Sequence, residues 1–111
     1  MDRLEKYRNA IETVINEYAN IEPAYGDISM EAVTDREHDH YEVMMMGWDN
    51  HERVHSSIIH IDILNNKIWI QHDATDTGVA YELVELGVPK EDIVLAFHPP
   101  YKRPYTEFAV N

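Results

Sequence analysis

The chain has 111 residues, 44% of them hydrophobic, no cysteine, and a formal net charge of -12 from 21 acidic against 9 basic residues. That size suits one domain, expected to span residues 1–111, with a core that needs no covalent staple; the missing cysteines exclude a disulfide framework and a thiolate zinc site. The charge sets a single copy against phosphate backbones, so direct nucleic-acid binding by a monomer is not expected, whereas a basic partner protein, or plain solubility, fits it.

No apolar run approaches the roughly 20 residues of a membrane span. The start, MDRLEKYRNA, is charged and helix-periodic rather than signal-like. A soluble, cytoplasmic protein is expected.

Residues 2–20 read as an amphipathic helix. Leu4, Tyr7, Ile11, Val14, Ile15 and Tyr18 recur at spacings of three and four, Asp2 can cap the start, and Pro23 and Gly26 mark the exit. DISMEAVT (27–34) alternates weakly as a first strand, and residues 35–40 are a polar turn. YEVMMMGW (41–48) follows as a second strand, whose three methionines are read first as core filler and second as an adaptable surface. After a turn at residues 49–52 comes the centre of the sheet, IIHIDILNNKIWIQHD.

Ile59, Ile61, Ile63, Ile68 and Ile70 alternate with other residues about Asn65-Asn66, a pair that tolerates the positive φ of a type I′ hairpin turn. The register then sets Leu64 against Lys67, Ile61 against Ile70 and Ile59 against His72. His60 and His72 fall on opposite faces, and Ile58, His60, Asp62, Leu64, Trp69, Gln71 and Asp73 make a mixed second face of the kind that meets a helix, a subunit or a ligand.

Residues 74–86 read as a short helix, capped at its start by Thr75 or Asp76 and ended by Gly87 and Pro89. Pro89 to Asp92 can form one tight turn, IVLAF (93–97) a buried strand, and YKRPYTEFAVN an extended tail anchored by Phe108 and Val110. The order α-β-β-β-β-α-β implies an α+β, two-layer fold: a mostly antiparallel sheet of four to five strands with an N-terminal helix and a second short helix.

The candidates for chemistry are thin. Seven histidines invite a metal, but no one face collects three ligands, and His38 and His40 sit in a polar turn where solvation is expected. His60, Asp62 and Asp73 are the residues a metal-dependent or hydrolytic enzyme would use. Ser56, His60 and Asp62 share a strand face at steps of about 6.7 Å, too far for a hydrogen-bonded triad. None of the four lysines follows a carboxylate by two residues as in nuclease cores, and the four glycines form no phosphate loop. No catalytic, cofactor or metal residue is assigned.

The interaction candidates are Asp73, Thr75 and Asp76, where a strand gives way to a helix, and the tail strip with Tyr101, Lys102, Arg103 and Tyr105, equally an arm that covers a sheet edge. Trp48 and Trp69 join them, because aromatics dominate interface hot spots. A direct DNA-binding module would need Arg53, Lys67, Lys102 and Arg103 on one surface, in an oligomer if not in a monomer.

Taken together, Tyr25-Gly26-Asp27, His40-Tyr41, Gly47-Trp48, HIDILNNKIWIQ, Asp73 to Thr75, ELVELGVPKEDIVLAFHPPYKRPYT and Phe108-Ala109-Val110 resemble the XisI family, the small cyanobacterial fdxN element excision controlling factor proteins. The resemblance covers essentially the whole chain. It implies an accessory role in programmed site-specific DNA excision during heterocyst development, beside a recombinase, XisF, and a companion, XisH, that resembles an endonuclease. It carries over no catalytic residue, so a non-catalytic regulator is expected, with an XisH-like protein as partner, a recombinase as a second partner and self-association into a homo-oligomer. One position departs from the family pattern Asp-x-Thr-Glu: Asp76 follows Thr75, a shortened acid that puts roles needing reach in doubt and leaves capping intact.

Overall fold

A computed structural model describes residues 2–23 and 26–111; Tyr25, one of the resemblance residues, lies outside them. Helix α1 spans Arg3–Ala19, and the Asp2 carboxylate caps it by accepting from the Glu5 N–H at 2.8 Å. Strands β1 (Asp27–Asp35), β2 (His40–Asp49), β3 (Glu52–Leu64) and β4 (Lys67–Asp73) are followed by helix α2 (Val79–Glu85), a 3₁₀ turn at Lys90–Asp92 and strand β5 (Ile93–Leu95). The sheet runs β1-β2-β3-β4-β5. The first four strands are an antiparallel meander, and β5 lies parallel to β4 after the α2 crossover. The α+β architecture expected from the sequence is the one found.

Tyr7, Ile11, Val14 and Ile15 of α1 and Leu83 of α2 are buried against Tyr41, Val43, Ile59, Ile61, Ile68 and Ile70, one face of the sheet. Each such side chain contributes roughly 1.5–3 kcal/mol by leaving water. Polar ties fix the helices on that layer. The Arg8 guanidinium grips Asp39 through both carboxylate oxygens, at 2.8 and 3.1 Å, and Tyr41 Oη donates to Asp39 Oδ1 at 2.9 Å. The Arg8 bond holds the Asp39 carboxyl below the usual range, while burial pushes the Tyr41 phenol up. Tyr7 Oη donates to Asp92, and its burial first, then that bond, raise its pKa to about 12.

The central turn is as read: Asn65 and Asn66 take φ of 53° and 65°, and Leu64 pairs with Lys67. The register is correct up to Ile61 opposite Ile70 and then changes. A bulge at Gln71 sets His60 against His72 and Ile59 against Asp73. Expected on opposite faces, His60 and His72 therefore share one, and Asp73 is turned to the helical side. A one-residue insertion inverts every side chain beyond it. A second bulge, at Ile58, sets Ile59 against Val43 but Ser57 against Met44. Ser57, not Ser56, thus shares the face of His60.

Other expectations change at the ends of elements. The second helix starts at Val79 rather than residue 74, and β5 ends at Leu95, leaving Phe97 exposed. Gly87, at φ 99°, closes α2 as read: its N–H donates to Val84 O, and the Val88 N–H reaches back to Leu83 O. The tail is not extended. It winds through a 3₁₀ turn at Arg103–Tyr105 and pairs Ala109 with Val94, with Phe108 buried and Val110 exposed. None of Met44, Met45 and Met46 reaches the buried core; all three are half-buried.

Candidate functional site

Strand β4 ends at Asp73, and the bulge aims its carboxylate at the loop that follows. Asp73 accepts from the Thr75 N–H (2.8 Å), Thr75 Oγ1 (2.6 Å) and the Val79 N–H (2.9 Å); Thr75 Oγ1 in turn accepts from the Gly78 N–H at 3.2 Å. Asp73, with Thr75 behind it, satisfies the helix start, and Asp76 is exposed to solvent. The expected cap at Thr75 or Asp76 is therefore corrected by two to three residues. A carboxylate taken up by three donors holds the loop in shape and is not presented as a ligand.

The loop forms one wall of an open cleft of about 510 Å³, lined by Tyr18, Ile21, Met30, Met45, Ile58 and residues 74–77. Tyr18 Oη spans the wall, donating to Glu82 Oε2 at 2.8 Å and meeting Thr77 Oγ1 at 3.0 Å; burial raises its pKa.

At the other side of the sheet the tail folds back. The Arg103 guanidinium lies over the Trp69 ring at 5.6 Å and donates to His98 O (3.0 Å), Ala96 O (3.4 Å) and Val110 O (3.4 Å). Trp69 Nε1 donates to Leu64 O at 3.0 Å. Of the expected contact residues, Trp69 and Arg103 are thus used within the chain as a clamp, and the tail covers the edge of its own sheet at β5. Tyr101 and Tyr105 are 71% and 90% exposed, with Lys102 beside them.

Trp48 stands elsewhere, at the tip of the β2–β3 hairpin. It is 51% exposed, Asp27 pairs with it across β1, and Asp49 and Glu52 close the hairpin beside it. Arg53 lies over its ring at 5.4 Å. The hairpin tip needs Gly47 two residues away from the turn: a Cβ there would stand 1.9 Å from Asp27 O. The expected interaction residues therefore fall into three separate places: the Asp73 loop, the tail clamp and the Trp48 tip.

On the face of the sheet away from the helices, His40 at the start of β2 pairs with Asp62 of β3. His40 Nδ1 and His60 Nε2 approach Asp62 Oδ1 at 2.8 and 2.9 Å. The hydrogen bond to Asp62 raises the His40 pKa. Of His60, Asp62 and Asp73, the fold brings the first two together and sends Asp73 to the other face. His40, expected in a solvated turn, takes its place. The signal that finds it is the pairing of β2 with β3, which two strands read singly do not give.

The cations are mostly engaged inside the chain. Arg3, Arg8, Arg36 and Lys90 pair with carboxylates, Arg53 and Arg103 lie on the two tryptophans, and Lys67 Nζ donates to Asn111 O. Arg53 and Lys67 sit at opposite ends of β3 and its turn, about 36 Å apart at roughly 3.3 Å per residue, so the four cations of a DNA-binding surface do not cluster in one copy.

The family model described as XisI protein matches residues 1–110. The chain belongs to the XisI family. Its structure is similar to that of a XisI-like protein from Anabaena variabilis, with a TM-score of 0.90, 40% identity, and coverage of 97% of this chain and 99% of that one. It is also similar to the fdxN element excision controlling factor XisI from the same organism, with a TM-score of 0.86, 36% identity, and coverage of 99% and 100%. No curated protein matches this XisI-family chain. No helix among the described residues is long and apolar enough to cross a membrane.

Proposed function

We propose that this XisI-family chain is a non-catalytic regulator of site-specific DNA-element excision that works by holding a basic surface of a partner protein, an XisH-like protein first and an XisF-type recombinase second. The observation that carries the reading is the distribution of charge. A chain of net charge -12 pairs Arg8 and Arg36 with its own carboxylates and lays Arg103 over Trp69, so the excess of acids has few cations left to offset it. Such a surface repels DNA and attracts the basic face of a protein that binds DNA. The Trp48 tip supplies an aromatic anchor with Asp27, Asp49 and Glu52 around it, the arrangement of an interface centre with a charged rim. Membership of a family whose Anabaena relative is named an excision controlling factor supports regulation over catalysis.

The test is co-purification of the chain with the XisH-like protein encoded nearest to it, sized at about 0.15 M and about 0.5 M salt. A stoichiometric complex that weakens at the higher salt, and weakens further in Trp48→Ala, is expected. No complex at either salt, or a complex indifferent to salt and to Trp48, overturns the reading.

A further inference from the structure

The outer face of the sheet holds a cluster that lies at the other end of β2 from the Trp48 tip. His40, His60 and Asp62 offer ring nitrogens and a carboxylate oxygen that all lie within 4.8 Å of one another. We propose that these three residues bind a divalent transition-metal ion of the zinc class.

The donor set comes first. Two imidazoles and one carboxylate suit zinc and its neighbours, with a further position left to water, and hard ions such as magnesium are disfavoured by the nitrogens. The spacing comes second. Donors bound to a tetrahedral ion at roughly 2.0–2.2 Å stand about 3.3 Å apart. Each histidine nitrogen is now 2.8 or 2.9 Å from Asp62 Oδ1, so each pair need open by only about half an ångström. The side of the site toward solvent is the His40 side, 60% exposed, while Asp62 at 16% forms the floor.

The surroundings resemble those of a supported metal site. A ligating imidazole is commonly oriented by a carboxylate on its other nitrogen. Here Glu42 Oε1 faces His60 Nδ1 at 3.8 Å, longer than a hydrogen bond but within ion-pair range, and Ser57 Oγ holds that same Glu42 oxygen at 3.1 Å. Gln71 Nε2 donates to Asp62 Oδ2 at 3.2 Å and so steadies the third ligand. Ligands and supports come from three neighbouring strands, a rigid frame. Both bulges serve it: the one at Ile58 brings Ser57 to Glu42, and the one at Gln71 lets that residue reach Asp62 while His72 takes the place across from His60. The net charge of the chain adds a field that favours a cation.

The test uses the full-length, tag-free chain, stripped with a chelator and then titrated calorimetrically with zinc chloride. Cobalt(II) serves as a visible-absorption probe of the ligand field. One ion per chain, a rise in unfolding temperature on zinc addition and cobalt bands of low-coordinate nitrogen–oxygen ligation are expected. His60→Ala and Asp62→Asn should each weaken zinc by at least about 100-fold, and Glu42→Gln by about 10-fold. His51→Ala and His55→Ala, exposed and away from the cluster, should leave it unchanged. His40→Gln, at the exposed end of β2, removes a ligand without touching the core and separates lost binding from lost folding. Zinc affinity unchanged in both His40→Gln and His60→Ala, or no more than adventitious binding by the unmodified chain, overturns the site. Neither outcome bears on the co-purification, because the ligands and the Trp48 tip occupy different ends of β2.

Discussion

The two faces of one sheet are built from the same strands and do opposite things. Toward the helices, Val43, Ile59, Ile61, Ile68 and Ile70 are fully buried under α1 and α2. Away from them, His40, Glu42, His60, Asp62 and Trp69 alternate with those same residues and form hydrogen bonds and ion pairs rather than close packing. Because a strand sends successive side chains to opposite faces, the chain meets the needs of folding with one parity and leaves the other parity free for chemistry and contact. Strand order and burial therefore locate the core, and the residues that remain locate candidate function.

The sharpest way to break that contrast is to truncate one residue of each parity in the same strand. Ile61→Ala should cost about 2–5 kcal/mol in denaturant unfolding, because it opens a cavity in a closed layer. The neighbouring His60→Ala should cost less than about 1 kcal/mol, as is usual for surface changes. Equal losses would mean that the outer face is part of the core in solution, for instance by being covered in an oligomer.

Next in size is Asp39, which joins the two layers at one corner. Asp39→Ala strands the Arg8 guanidinium and the Tyr41 hydroxyl, and should cost about 2–3 kcal/mol, less than a fully buried pair because Arg8 keeps some water. Its pH dependence has a definite sign. The folded-state pKa of Asp39 is depressed by Arg8, so its contribution is fully present above the unfolded value and is lost as pH falls through the folded one. Asp39→Asn should therefore flatten the acid limb of a stability–pH curve measured by urea unfolding.

What was legible in the sequence follows from where side-chain pattern outweighs local geometry. The helix Arg3–Ala19 with its Asp2 cap and the Asn65-Asn66 hairpin were readable because periodicity, capping and turn chemistry agreed there. The bulges at Ile58 and Gln71 were not, since an inserted residue leaves no mark in a run of mixed polar and apolar residues. The bulge at Gln71 displaced His72 and Asp73, and the one at Ile58 displaced Ser57. The tail misled for another reason. Pro100 and Pro104 exclude a long helix, but they are compatible with the short 3₁₀ turn that lets Arg103 cover Trp69. Trp48, Tyr101 and Tyr105 were expected as contact residues and are exposed; that Trp48 lies apart from the tail pair depends on the tertiary fold alone.

The Asp73 loop sharpens the comparison at a smaller scale, between two acids three residues apart. Asp73→Ala leaves the Thr75 and Val79 amides without their acceptor and should cost about 1–2 kcal/mol. Asp76→Ala, at an exposed position, should stay within about 0.5 kcal/mol. Hydrogen exchange at the Thr75 and Val79 amides checks the assignment directly, since only the Asp73 variant should speed both.

The smallest effect lies on the outer face and has the opposite pH sign to that of Asp39. The hydrogen bond to Asp62 raises the folded-state pKa of His40 above the ordinary histidine value. A raised histidine contributes stability that is fully present below the unfolded pKa and is lost as pH rises through the folded one. The unmodified, metal-free chain should thus lose a little stability from mildly acidic to mildly alkaline pH, and His40→Gln should remove that part of the slope while leaving the low-pH limb governed by Asp39. An NMR titration of the His40 ring, repeated in Asp62→Asn, reads the same coupling without reference to stability: the midpoint should fall toward the ordinary histidine value when the carboxylate is gone. If it does not move, His40 and Asp62 are not in contact in solution, and the outer face has lost the contact on which the proposed ion site rests.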